Sequence, residues 1–190
     1  MPAVLKERMR IMSGRMSNTR FRLMSLVGMP VRNLFQPPGE IVKEMDIVNG
    51  SQVLDFGCGP GHFIGRIARL TGERGVVYAL DNHPLAIKRV NGMVRRNGFS
   101  NVRTILSDCS SGLDDSSIDA ALLLDVYHML DNGPEVLAEI HRVLKPEGKF
   151  YFSDHHLKEN GVRETSVGGF FTVKSRGRYL LVCSPSVKGA

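Results

Sequence analysis

Five aspartates stand where apolar runs end: Asp55, Asp81, Asp108, Asp125 and Asp154. A carboxylate is a poor residue for a buried strand, and any one of these also fits a helix cap or turn. Five in the same place point to a shared task, such as accepting hydroxyls and facing a cationic ligand. Around the first lies Val53-Leu54-Asp55-Phe56-Gly57-Cys58-Gly59-Pro60-Gly61, with glycine at every second position from 57. Such a turn lets backbone approach a ligand closely and aims helix N-terminal amides at it. The dinucleotide pattern would need a glycine where His62 stands, and the Gly-Lys-Ser/Thr ending of a phosphate loop is absent. Asp55 would repel a polyphosphate but suits a cationic ligand that also carries a carboxylate. Asp81 follows Gly61 by about 20 residues, a position from which a carboxylate accepts ribose hydroxyls. Tyr127, His128, His155 and His156 are the candidates for proton transfer. For His128, capping of the following turn is an equal expectation. His62 and His83 read as first-turn residues, His141 as structural, and Asp114, Asp115 and Asp131 as solvated loop charges.

The elements that must position these groups alternate along the chain. Gln52–Phe56, Val76–Leu80, Val102–Leu106, Ile118–Leu124 and Lys149–Ser153 read as buried strands. Helical spacing of apolar residues covers Glu40–Val48 and His62–Leu70. It also covers the stretch from Pro84 to Gly98 and Pro134–Lys145, the last stopped by Pro146-Glu147-Gly148. Phe170–Lys174 and Arg178–Cys183 form a hairpin pattern around Arg176-Gly177. This rhythm predicts an α/β, Rossmann-like, doubly wound sheet. Its seven strands are mostly parallel, an antiparallel hairpin forms one edge, and helices cover both faces.

Charge divides the chain. Residues 1–36 hold seven Lys/Arg and one Glu, which accounts for the whole net charge of +6, and six of the nine methionines. The expected organisation is a basic, Met-rich arm or lid over 1–36 and a neutral ligand-binding domain over 37–190. The arm is Arg-rich and acid-poor like an organelle-targeting peptide, but no small-residue cleavage pattern follows it. An apolar content of 42% excludes disorder as the main state, and no run approaches the length of a membrane span. Cys58, Cys109 and Cys183 form neither a disulfide framework nor a zinc site, so a reducing cytoplasm is expected.

Taken jointly, Val53–Gly61, Val77–Asp81, Leu106-Ser107-Asp108, Ile118–His128 and Glu139–Gly148 resemble the class I S-adenosylmethionine-dependent methyltransferases. The resemblance is closest to their ubiquinone- and menaquinone-biosynthesis-like (type 11) branch. It covers the stretch from Val53 to His155 and implies S-adenosylmethionine as cofactor. By that resemblance Asp55 and the backbone of Gly57, Cys58, Gly59 and Gly61 hold the methionine end. Asp81 grips the ribose and Asn82 flanks the adenine. Asp108 and Cys109 face the adenine, and Asp125 and Val126 line the path to the sulfonium methyl. Tyr127, His128 and His155 are the expected catalytic positions.

The acceptor is less legible. Asp125-Val126-Tyr127-His128 lacks the prolines of the enzymes that methylate amino groups of nucleic acids. No cysteine is placed for attack on a pyrimidine, and the three are too scattered for arsenic chemistry. Convergence of Asp125, Asp154 and His155 on a metal is an alternative, but none is expected. The family covers its acceptor with a helix or insertion after the fifth strand, where this chain has only a short polar stretch. Residues 15–37, with Phe21, Met24, Val31, Leu34 and Phe35 as an apolar face, are therefore expected to fold over the methyl site. A small-molecule acceptor is the leading expectation. The alternatives are an RNA or protein acceptor docked by the basic arm, or a cofactor-binding module without catalysis.

Overall fold

The computed structural model describes residues 16–154 and 169–186. Its helices are α1 (Asn18–Leu23), α2 (Met29–Phe35), α3 (Pro38–Lys43), α4 (Ile64–Thr71), α5 (Pro84–Asn97) and α6 (Gly133–Val143). A π-helical turn, Met24–Gly28, joins α1 to α2 without a break. The strands are β1 (Gln52–Phe56), β2 (Val76–Asp81), β3 (Val102–Leu106), β4 (Ile118–Leu124), β5 (Leu144–Ser153), β6 (Phe171–Arg176) and β7 (Leu181–Pro185). They form one sheet in the order β3-β2-β1-β4-β5-β7-β6. The first five are parallel, and β7 runs antiparallel to both β5 and β6. The order reverses between β1 and β4, where an open α/β sheet leaves a crevice beyond its carboxyl ends.

The inner strands β1, β2 and β4 and the second half of β5 read as apolar runs because both of their faces are buried. Val53, Val77, Leu122 and Tyr151 pack with Ile41, Ile64, Ile67 and Val90 from α3, α4 and α5. Leu54, Leu80, Leu123, Phe150 and Phe152 pack on the opposite face with Val136, Leu137 and Ile140 of α6.

Several element boundaries differ from the sequence expectation, the helix expected over His62–Leu70 lying at Ile64–Thr71. The helix expected over Glu40–Val48 starts at Pro38 and ends at Lys43. Beyond it the Asp46 N–H donates to the Tyr151 hydroxyl at 2.8 Å, a tertiary partner in place of a helical one. Helix α6 stops at Val143 and Leu144 already pairs with Ile118 in the sheet. Pro146 disfavours a helical Lys145, and Pro146-Glu147-Gly148 falls in a register shift of β5. The hairpin lies at Phe171–Arg176 and Leu181–Pro185, two to three residues later at most ends.

Candidate functional site

The carboxyl ends of β1, β2 and β4 bring Asp55, Asp81 and Asp125, and the loop after β3 brings Asp108, to one crevice. Asp55, Asp81, Asp108 and Asp125 line a cavity of about 960 Å³ together with Gly57, Cys58, Gly59, Asn82, Val126 and His128. Residues of α1, the π-helical turn and α2 form its other wall, among them Phe21, Met24, Gly28 and Arg32.

The glycine loop is shaped by sterics. Gly57, Gly59 and Gly61 have φ of +78°, +52° and +88°, a region that L side chains rarely adopt. A Cβ on Gly57 would stand 2.6 Å from Val126 Cγ2, so the loop could not pass β4's end with any other residue. A Cβ on Gly61 would meet Val90 of α5 at 3.1 Å, and Gly61 is not part of the cavity wall. Gly61 thus lets the loop pack on α5 rather than meet a ligand. Among the described residues nothing lies within 4 Å of the Cβ position on Gly59, leaving its backbone open to close approach.

The carboxylates are unequal. Asp55 is 2% exposed, and its Oδ2 has no hydrogen-bond partner among the described residues. Burial first, and the neighbouring Asp81 second, push its pKa up to about 7, an effect that Arg32 moderates. A buried, unsatisfied carboxylate oxygen calls for a cationic donor. Asp81 accepts the Gly59 N–H at 2.8 Å and the His83 N–H at 2.7 Å, which tie the glycine loop to the end of β2. Burial raises its pKa despite these two bonds. Asp125 sits at φ +56° and accepts from Arg32 Nη1 at 3.0 Å. Asp154 is buried and holds His128 twice: its Oδ2 accepts the His128 N–H and its carboxylate meets the ring Nδ1, both at 2.9 Å. This set of acceptors suits a ligand with an ammonium group, hydroxyls and a cationic centre.

Several expected residues stand elsewhere. Cys109 packs in the core beneath the sheet rather than in the cavity wall. Tyr127 is also absent from that wall; its ring packs edge-on to Phe152 at 6.0 Å. His155 and His156 lie outside the described residues. Cys58 lines the cavity, but burial raises its thiol pKa, which keeps it from acting as a thiolate. Asp125 and Asp154 are engaged by Arg32 and His128, and no group of three metal-ligating side chains occurs among the described residues. His83 caps α5, accepting the Leu85 N–H at 3.1 Å, and His141 contacts the Ser186 carbonyl at 3.2 Å.

The sequence reading missed how the N-terminal segment is attached. Phe21 is buried and stacks on His83 with ring centroids 4.3 Å apart, under the Arg89 guanidinium. Arg32 lies 5.5 Å from the Phe63 ring while bridging to Asp125, and Asn33 meets His62 at 3.2 Å. Val31, Leu34 and Phe35, expected to face inward, are exposed. The signal was present as a lone arginine and asparagine in an otherwise apolar helical stretch.

A family model described as "Methyltransferase domain" matches residues 47–177. A protein-L-isoaspartate O-methyltransferase of Methanocella arvoryzae is 30% identical over 142 residues, covering 71% of this chain and 74% of that protein. An arsenite methyltransferase of Aquipseudomonas alcaligenes is 34% identical over 116 residues, covering 57% of this chain and 34% of that one. The crystal structure of a SAM-dependent methyltransferase from Aquifex aeolicus superposes with a TM-score of 0.76 at 22% identity. It covers 91% of this chain and all of its own. That last likeness bears on fold.

Proposed function

Because the chain belongs to the class I S-adenosylmethionine-dependent methyltransferases, we propose that its cavity takes the cofactor against the strand-end acids and a small-molecule acceptor on the side of His128. The cofactor, when bound, supplies a methyl group made electrophilic by its sulfonium. Asp55 receives the ammonium group, Asp81 the ribose hydroxyls and the Gly57–Gly59 backbone the carboxylate, while Asn82 and Asp108 flank the adenine. The inward side of residues 16–35, with Phe21, Met24 and Arg32, acts as the lid over this arrangement.

The observation that carries the reading is the two-walled shape of this crevice. One wall is built from sheet-end acids and the other from α1, the π-helical turn and α2. A volume of about 960 Å³ suits a cofactor plus a compact acceptor. Holding the two together supplies much of the rate through proximity and orientation. Where the acceptor must lose a proton, His128 takes it; the contact of its Nδ1 with Asp154 supports this role.

The test is methylation of size-fractionated cell extract with cofactor labelled in its methyl group. Label is expected in the small-molecule fraction. Label that enters only protein or only RNA overturns the acceptor class, and cofactor binding without transfer to any fraction overturns the catalytic reading.

A further inference from the structure

The outer face of the N-terminal helical segment is apolar in a way no other surface of the described residues matches. Leu23, Leu26, Val27, Val31, Leu34 and Phe35 are 50–78% exposed. They recur at intervals of three and four along a continuous helical path, which places them on a shared side. Exposed large apolar residues elsewhere, such as Val48, Leu70 and Leu106, are single and scattered. The segment's inner side is already used by Phe21, Met24 and Arg32. Leu23 and Val27 belong to both sets: they are exposed and also line the cavity, as does Met129. The apolar strip therefore runs to the cavity's rim.

Charge identifies the occupant. No acid lies between residues 16 and 36, whereas Arg20 and Arg22 flank the strip. Lys6, Arg8, Arg10 and Arg15 precede it in the chain against a single Glu7. A second copy meeting the strip face to face would set these cations against their own kind. An anionic lipid surface answers both features at once, apolar side chains entering the acyl boundary and arginines meeting headgroup phosphates.

We propose that residues 16–36 dock this protein on an anionic membrane surface, with the cavity rim turned to the lipid so that a lipid-soluble acceptor enters from it. The acceptor class rests on the methyl-transfer reading above. The docking does not, since it is measured without turnover.

The test is co-sedimentation of the full chain with vesicles of phosphatidylcholine containing phosphatidylglycerol, against vesicles of phosphatidylcholine alone, at low and high salt. Binding is expected to the anionic vesicles, weakening as salt rises. Leu34→Ser with Phe35→Ser, neither of which lines the cavity, should lower binding about tenfold or more. S-adenosylmethionine affinity, measured calorimetrically on the same variant, should be unchanged and certifies that it is folded. No binding to anionic vesicles overturns the docking. So does binding that the double variant leaves intact, which would be charge attraction by the arm alone. A wild-type dimer in light scattering that the double variant dissociates, in a protein that ignores vesicles, assigns the strip to a second copy instead. Docking confirmed while label enters only water-soluble acceptors overturns the lipid-soluble class and leaves methyl transfer standing.

Discussion

With the proposed cofactor placement, Asp55 links stability and ligand binding in a single side chain. Its pKa is raised from 3.8 to about 7 by burial, so the folded, cofactor-free protein holds this proton more tightly than the unfolded chain does. The associated stability is fully present below pH 3.8 and is lost as pH rises through about 7. An ammonium group arriving at Oδ2 needs the ionised form, so cofactor affinity should fall about tenfold per pH unit below 7. Asp55→Asn should flatten this profile, weaken cofactor binding at pH 8 about tenfold or more and raise the melting temperature at that pH. Calorimetry and thermal melts across pH read all three. Asp154 acts one bond further back. If it orients His128, Asp154→Asn should lower kcat by about tenfold to a hundredfold and displace the pH profile, with the cofactor Kd unchanged. An unshifted profile would leave Asp154 as a support of the turn after β4.

Among elements, the glycine loop and the N-terminal segment impose different constraints. Gly57→Ala would place a methyl 2.6 Å from Val126 at positive φ, so a loss of roughly 1–3 kcal/mol in unfolding free energy is expected along with weaker cofactor binding. The N-terminal segment is held by the Phe21–His83 stack and the Arg32–Asp125 pair rather than by a deep core. Phe21→Ala should therefore speed cofactor release several-fold in stopped-flow while the sheet's melting transition stays in place. The inner strands were readable because burial on both faces makes them apolar runs. The helix end before Pro146 and the early stop of α3 were not, because a tertiary bond from Asp46 to Tyr151 and a strand register decided them. Strand-end acids were visible by position, and Asp55, Asp81, Asp108 and Asp125 do meet in one cavity. Tyr127, Cys109 and Gly61 shared their motifs but face packing partners, a difference of side-chain direction that spacing along a loop does not encode.

For the molecule as a whole, the split of charge corresponds to a split of tasks. A neutral α/β domain brings carboxylates to the switch point of its sheet, and a basic segment contributes the opposite wall through Arg32. The family is carried by residues 47–177, the part whose pattern is most regular. In the proposed function, acceptor choice falls to the segment outside that range and to the face it presents. The central claim is that the strand-end acids hold S-adenosylmethionine in this cavity. Its most direct test is titration calorimetry of S-adenosylmethionine into the wild-type chain and into Asp81→Ala. Losing a charged acceptor for the ribose hydroxyls should weaken binding about tenfold or more. Equal affinity in the two proteins, or no binding to the wild type, would contradict the account.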